Sequence, residues 1–129
     1  MSDPMGDCPP HGATTGTEVI DALRYHPSTF ILFASADAHT AGMAVCFMNY
    51  STFQAAPFVN IHDLAVLPAF RGYGVATALL HGVTLHAIKK GCTKVTLEVR
   101  EDNIVARRLY AKMKFHSCTP PMEYLTRFL

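Results

Sequence analysis

Val66-Leu67-Pro68-Ala69-Phe70-Arg71-Gly72-Tyr73-Gly74-Val75-Ala76 is the stretch on which the reading of this chain turns. It joins a strand-like apolar run to a strongly periodic helix. Gly72 and Gly74 permit backbone angles that other residues resist, so consecutive N–H groups can turn toward one point. The helix that follows adds its own orphan N–H groups and the positive end of its dipole. The expected product is an anion cradle built largely of backbone, with Arg71 as a fixed charge beside it. A phosphate or pyrophosphate suits such a cradle.

Upstream, residues 58–67 read as a strand with a phase slip. Val59 and Ile61 are apolar on one parity, Leu64 and Val66 on the other. Side chains alternate strictly along a strand, so the slip at His62 and Asp63 points to a β-bulge, or else to a strand buried on both faces. Residues 30–36 and 41–50 are two strands around a polar turn at 37–40, which makes a hairpin, and 51–57 is a loop. A short helix over 17–25 ends before Pro27. Residues 1–16, rich in proline and glycine, read as a flexible arm, which leaves 17–129 as the domain.

Downstream, Val75, Leu79, Val83 and Ala87, with Ala76, Leu80 and Ile88, fall at helical spacing. Lys89-Lys90-Gly91 ends that helix on basic residues and a C-cap glycine. Residues 94–100 alternate cleanly as a strand. Asp102 or Asn103 caps a helix over about 104–113, and two closing strands follow near 115–119 and 122–128. The order predicts an α/β domain with a mixed sheet flanked by helices.

At 129 residues the chain is one domain by size. Half of it is hydrophobic and only 16 % is charged, against roughly 25 % in an ordinary soluble domain. Such a composition has ample apolar surface to bury. A net charge of +1 argues against a duplex nucleic-acid partner. The longest apolar run, Ala41 to Met48, is eight residues, far short of the roughly 18–20 that cross a membrane. Cys8, Cys46, Cys92 and Cys118 lie far apart, without a zinc-ligand spacing, and the histidines show none either. No metal is expected. With no signal-peptide pattern, the cysteines read as reduced cytosolic thiols.

Three phosphate-binding patterns compete for the glycine loop. A Walker loop needs Lys-Ser or Lys-Thr at the helix start, where Val75-Ala76 stand. A dinucleotide fingerprint needs a third glycine where Thr77 stands, and an acidic residue about 20 residues on, which is absent from a clean strand end. The third pattern, Arg-x-x-Gly-x-Ala at Arg71, Gly74 and Ala76, resembles the pyrophosphate loop of the GNAT superfamily of N-acetyltransferases. The resemblance covers roughly 17–128. It includes the Val-x-Pro-x-x-Arg-Gly-x-Gly frame of Val66 to Gly74, then Asn103, then Ala106-Arg107-Arg108-Leu109-Tyr110, and Lys114-Phe115 where the family closes its helix on Gly-Phe. Phe47-Met48-Asn49-Tyr50-Ser51-Thr52-Phe53 and Asp63-Leu64-Ala65-Val66 look like the diamine (spermidine/spermine) acetyltransferase branch. That branch carries Glu where His62 stands.

The resemblance implies acetyl-CoA as co-substrate and a small-molecule amine as acceptor. It puts Leu64, Ala65 and Val66 along the pantetheine arm, and Arg71, Gly72, Tyr73, Gly74, Val75, Ala76 and Thr77 around the pyrophosphate. Asn103 and Ala106 flank the cofactor, and Tyr110 protonates the departing thiolate. A backbone N–H at Leu64 is the expected oxyanion donor. The base that takes the amine proton is left open among His62, Asp63 and Glu98. The family normally begins with a further strand and helix, so the chain reads as N-terminally truncated. An alternative is therefore a non-catalytic acetyl-CoA-binding domain. A homodimer is expected through the uncharged edge Phe30-Ile31-Leu32-Phe33-Ala34.

Overall fold

The computed structural model describes residues 27–129. The arm expected over 1–16 and the helix expected over 17–25 lie outside the described residues. Strand β1 (Thr29–Ala36) turns at Asp37 and Ala38 into β2 (His39–Ser51). Both turn residues have positive φ, 51° and 63°, which matches the turn to the twist of the two strands. The β2 strand turns again into β3 (Ala56–Val66), where the N–H of Gln54 donates to Ser51 Oγ at 3.2 Å. Helix α1 (Val75–Lys89) then crosses back, so that β4 (Val95–Leu97) runs parallel to β3. Helix α2 (Ile104–Lys112) follows. The sheet order is β1-β2-β3-β4, antiparallel except for the last pair, and among the described residues β1 lies at its edge.

The expected bulge is present. Val45 faces Asp63 and Cys46 faces Ile61, so His62 is the extra residue on β3. Its effect on packing is direct: Val59, Ile61 and Leu64 all enter one buried cluster despite their different parities. Leu79, Leu80, Val83 and Ala87 of α1 fill that cluster from the helix side, and Ala106 and Tyr110 of α2 complete it. The helix stop is also as expected. Gly91 has φ 77°, its N–H bonds Ile88 O at 3.0 Å, and the N–H of Cys92 bonds Ala87 O at 2.9 Å, the paired bonds of a left-handed helix cap.

Two expectations fail. The strand over 94–100 shrinks to Val95–Leu97, because β3 turns away at the bulge: pairing with β4 covers Val59, Asn60 and Ile61 and stops there. The middle matched pair is pinned by its side chains, Asn60 Nδ2 donating to Thr96 Oγ1 at 3.0 Å. The closing strands near 115–119 and 122–128 do not form either. Phe115 still packs against the core, but every residue from 116 onward is exposed and outside any strand. Alternation there has no neighbouring strand to pair with, and Pro120 and Pro121 remove two donors.

Candidate active site

Beyond Ile61 and Leu97 the pairing of the two parallel strands ends, and the second half of β3 carries His62, Asp63, Leu64, Ala65 and Val66. Leu64 and Val66 point into the protein, each 6 % exposed, and sit opposite Ala44 and Gly42 on β2. Asp63 is half-buried and His62 exposed. The His62 ring stands edge-on to Phe47, with centroids 5.2 Å apart.

At the end of β3 the chain makes one 3-10 turn, Pro68–Phe70, and enters the glycine loop. Gly72 and Gly74 hold φ of 85° and 81°, the region that favours glycine. A Cβ built on either would meet no atom within 4 Å, so the loop's backbone faces open space. Gly74 is the N-cap of α1 and no side chain caps the helix there. The first helical bond runs from Ala78 N–H to Gly74 O, 3.0 Å, which leaves the N–H groups of Val75, Ala76 and Thr77 without acceptors inside the helix. Arg71 is exposed, and its Nε donates to Val66 O at 3.2 Å. That bond ties the guanidinium to the end of β3, beside the loop. Tyr73 is 81 % exposed. An anion fits this geometry: backbone donors, a dipole end and a held cation converge where no side chain intrudes. Two grooves of about 560 and 590 Å³ lie on the β1 side of α1. The first touches Tyr73, Gly74 and Val75, and neither reaches Asp63 or Tyr110.

The remaining site residues stand on α2 and at its start. Asn103 is the cap: its Oδ1 accepts from Ala106 N–H at 3.2 Å. Asp102 is not the cap, because Arg100 grips it through Nε at 3.0 Å and Nη2 at 2.9 Å. The guanidinium holds the Asp102 carboxyl below its ordinary range. Arg107 Nη1 donates to Glu101 O at 3.2 Å, steadying the turn before the helix. Ala106 and Tyr110, one turn apart, face inward and are 3 % and 6 % exposed. Burial, and then the negative charge of Asp63, push the Tyr110 phenol above its ordinary 10. Two of the expected catalytic residues are therefore within electrostatic reach of each other, and Tyr110 keeps its proton at neutral pH. Phe115 braces that phenol edge-on, its ring 5.9 Å from that of Tyr110. Phe115, expected to close the helix, thus also holds the Tyr110 ring. Asn60 is marked in the sequence only as a lone amide in an apolar strand, just before the phase slip.

Among the described residues no group of three or more His, Cys, Asp or Glu side chains is placed to hold a metal. No helix among them is long and apolar enough to cross a membrane. Cys46 lies in the core, where burial pushes its thiol up to about 12.

Comparison with known proteins identifies the family and the fold. An N-acetyltransferase of uncharacterised role from Archaeoglobus fulgidus is 33 % identical over 82 residues, covering 63 % of this chain and 56 % of that protein. An acetyltransferase from Pectobacterium atrosepticum is 41 % identical over 58 residues, 45 % of this chain and 41 % of its own. The chain thus spans about half the length of the curated relatives it matches. The fold is shared with the ribosomal-protein-alanine N-acetyltransferase of Brucella melitensis biovar Abortus at a TM-score of 0.73 and 19 % identity, over 85 % of this chain and 78 % of that one. The family model for the acetyltransferase (GNAT) family matches residues 3–115, beginning earlier than the motif resemblance did. The chain belongs to the acetyltransferase (GNAT) family.

Proposed function

We propose that the chain transfers the acetyl group of acetyl-CoA to a primary amine. The observation that carries this reading is the placement of Tyr110 within electrostatic reach of Asp63. The bulge at His62 follows directly on the last β3–β4 pair, and an uncapped helix start follows β3 through the glycine loop. Bound acetyl-CoA supplies a thioester open to attack by a neutral amine. The loop from Arg71 to Thr77 holds its pyrophosphate on backbone N–H groups. The stretch Leu64, Ala65 and Val66 lies along its arm, and Asn103 and Ala106 border it from α2. Tyr110 donates its proton to the leaving sulfur.

Asp63 is the proton acceptor for the amine in this reading, relayed by water. What supports it over His62 is position: Asp63 is half-buried and its charge is felt at Tyr110, whereas His62 is exposed against Phe47. The acceptor is a small amine of the diamine or polyamine kind, on the likeness of residues 47–53 and 63–66 to that branch. His62 in place of a glutamate removes one negative contact, so affinity for polycations is expected to be modest. A chromogenic thiol reagent tests the reading. Thiol release from acetyl-CoA should depend on added amine and fall with Asp63→Asn. Amine-independent release, or none, refutes it.

A further inference from the structure

The bulge does more than fill the core. Side chains alternate along a strand, and Leu64 of β3 and Cys46 of β2 both enter the cluster that packs against α1. Their neighbours Asp63 and Phe47 therefore point to the opposite face of the sheet. His62, the extra residue, points there as well, since its ring stands edge-on to Phe47 with centroids 5.2 Å apart. An unbroken strand would turn His62 and Asp63 to opposite faces. The bulge instead sets an imidazole and a carboxylate on one face, next to an aromatic ring.

That face is otherwise poor in charge. The four strands carry no lysine, no arginine and one acidic residue, Asp63. Val45 lies opposite Asp63, with Ile31 beyond it on β1, and Met43 lies opposite Ala65. Asn60, opposite Phe47, has its amide engaged by Thr96 Oγ1 at 3.0 Å. An amine held at Asp63 thus meets hydrocarbon and rings around the carbons next to its nitrogen, and the sheet offers it no second carboxylate. A further ammonium brought onto the half-buried Phe47 side of this face gives up hydration with nothing to replace it. A methylene covered there is favourable.

We propose that this face selects the acceptor by hydrocarbon rather than by a second positive charge. Phe47 is the specificity-determining residue, and His62 beside it withholds a second anionic contact. The proposal rests on the acetyl-transfer reading and narrows its acceptor. Among small amines, those with a long apolar stretch beside the reacting nitrogen are preferred to those with another cation close to it.

Linear monoamines of rising length, and the diamines of matching length, test this through acetylation rates at saturating acetyl-CoA. For the monoamines 1/KM should rise by about two- to four-fold per methylene over the first few carbons, and each monoamine should surpass its diamine in kcat/KM. Phe47→Ala should flatten the rise. Phe47→Leu, which keeps an apolar side chain without the ring, should retain most of it. His62→Glu should improve the diamines alone, by about two- to five-fold. Acetyl-CoA should still raise Tm in all three variants, which checks their fold, and the parent series decides even where Phe47→Ala does not fold. A diamine preferred to its monoamine by the parent chain overturns the proposal. If Phe47→Leu abolishes that preference, the ring serves a cation instead. A rise unchanged in Phe47→Ala also overturns it. Acetylation of no amine at all by the parent chain overturns the acetyl-transfer reading, and this proposal with it.

Discussion

Replacing Gly74 with valine separates the cradle from the fold that carries it. Gly74 sits at φ 81° and ψ 14°. A side chain there costs roughly 1–2 kcal/mol of backbone strain, and no steric clash adds to it, since a Cβ meets nothing within 4 Å. The variant should therefore fold, with Tm lowered by roughly 3–10 °C. The added methyls project in front of the first N–H groups of α1, where the pyrophosphate is proposed to sit. Acetyl-CoA at a hundred times its Kd should stabilise the parent chain by about 2.7 kcal/mol, a rise of roughly 8–15 °C. Gly74→Val should lose that rise. The matched control is at the other end of the same helix: Gly91 has φ 77° and equally open space. Gly91→Val should drop Tm by a similar amount and keep the full acetyl-CoA shift. A full shift in Gly74→Val, measured by differential scanning fluorimetry beside that control, refutes the cradle.

Tyr110→Phe keeps the ring and its packing, so acetyl-CoA should still raise Tm while amine-dependent thiol release slows by about 10²- to 10⁴-fold. Asn103→Ala removes the α2 cap and should cost about 1 kcal/mol in thermal unfolding, with Asn103→Ser recovering most of it. Alkaline stability follows from two raised groups. Cys46 goes from 9.0 unfolded to about 12 folded, and Tyr110 is raised above 10.0. Each folded form holds its proton more tightly, so both contributions are complete below the unfolded value and are lost as pH rises. Denaturant melts should therefore weaken from about pH 9 upward. In Cys46→Ala the weakening should begin about one unit later, governed by Tyr110, on a baseline lowered at every pH by the cavity.

What was legible in the sequence is what local chemistry decides. The parity slip at His62 pointed to a bulge or to a strand buried on both faces, and the bulge is what brings Val59, Ile61 and Leu64 into one cluster. Gly72 and Gly74 announced a positive-φ loop, and Lys89-Lys90-Gly91 a helix stop, because few other residues tolerate those angles. What was not legible depends on partners far along the chain. Alternation over 94–100 and 122–128 reports two faces but not whether a strand lies alongside, so β4 came out too long and the closing strands did not form. The choice between Asp102 and Asn103 as cap rested on whether Arg100 would claim Asp102, which only the folded turn decides. The reach of Asp63 to Tyr110 likewise depends on how β3 and α2 pack together, invisible in spacing.

The central claim is that this site moves an acetyl group onto an amine. Mass spectrometry of a panel of diamines and polyamines incubated with acetyl-CoA and the full chain tests it without an indirect reporter. The account predicts that at least one amine gains a single acetyl group, at a rate that Tyr110→Phe lowers by about 10²-fold or more. Acetyl-CoA that raises Tm through an intact Gly74 loop, with no amine in the panel ever acetylated, would contradict it and leave a domain that binds the thioester without using it.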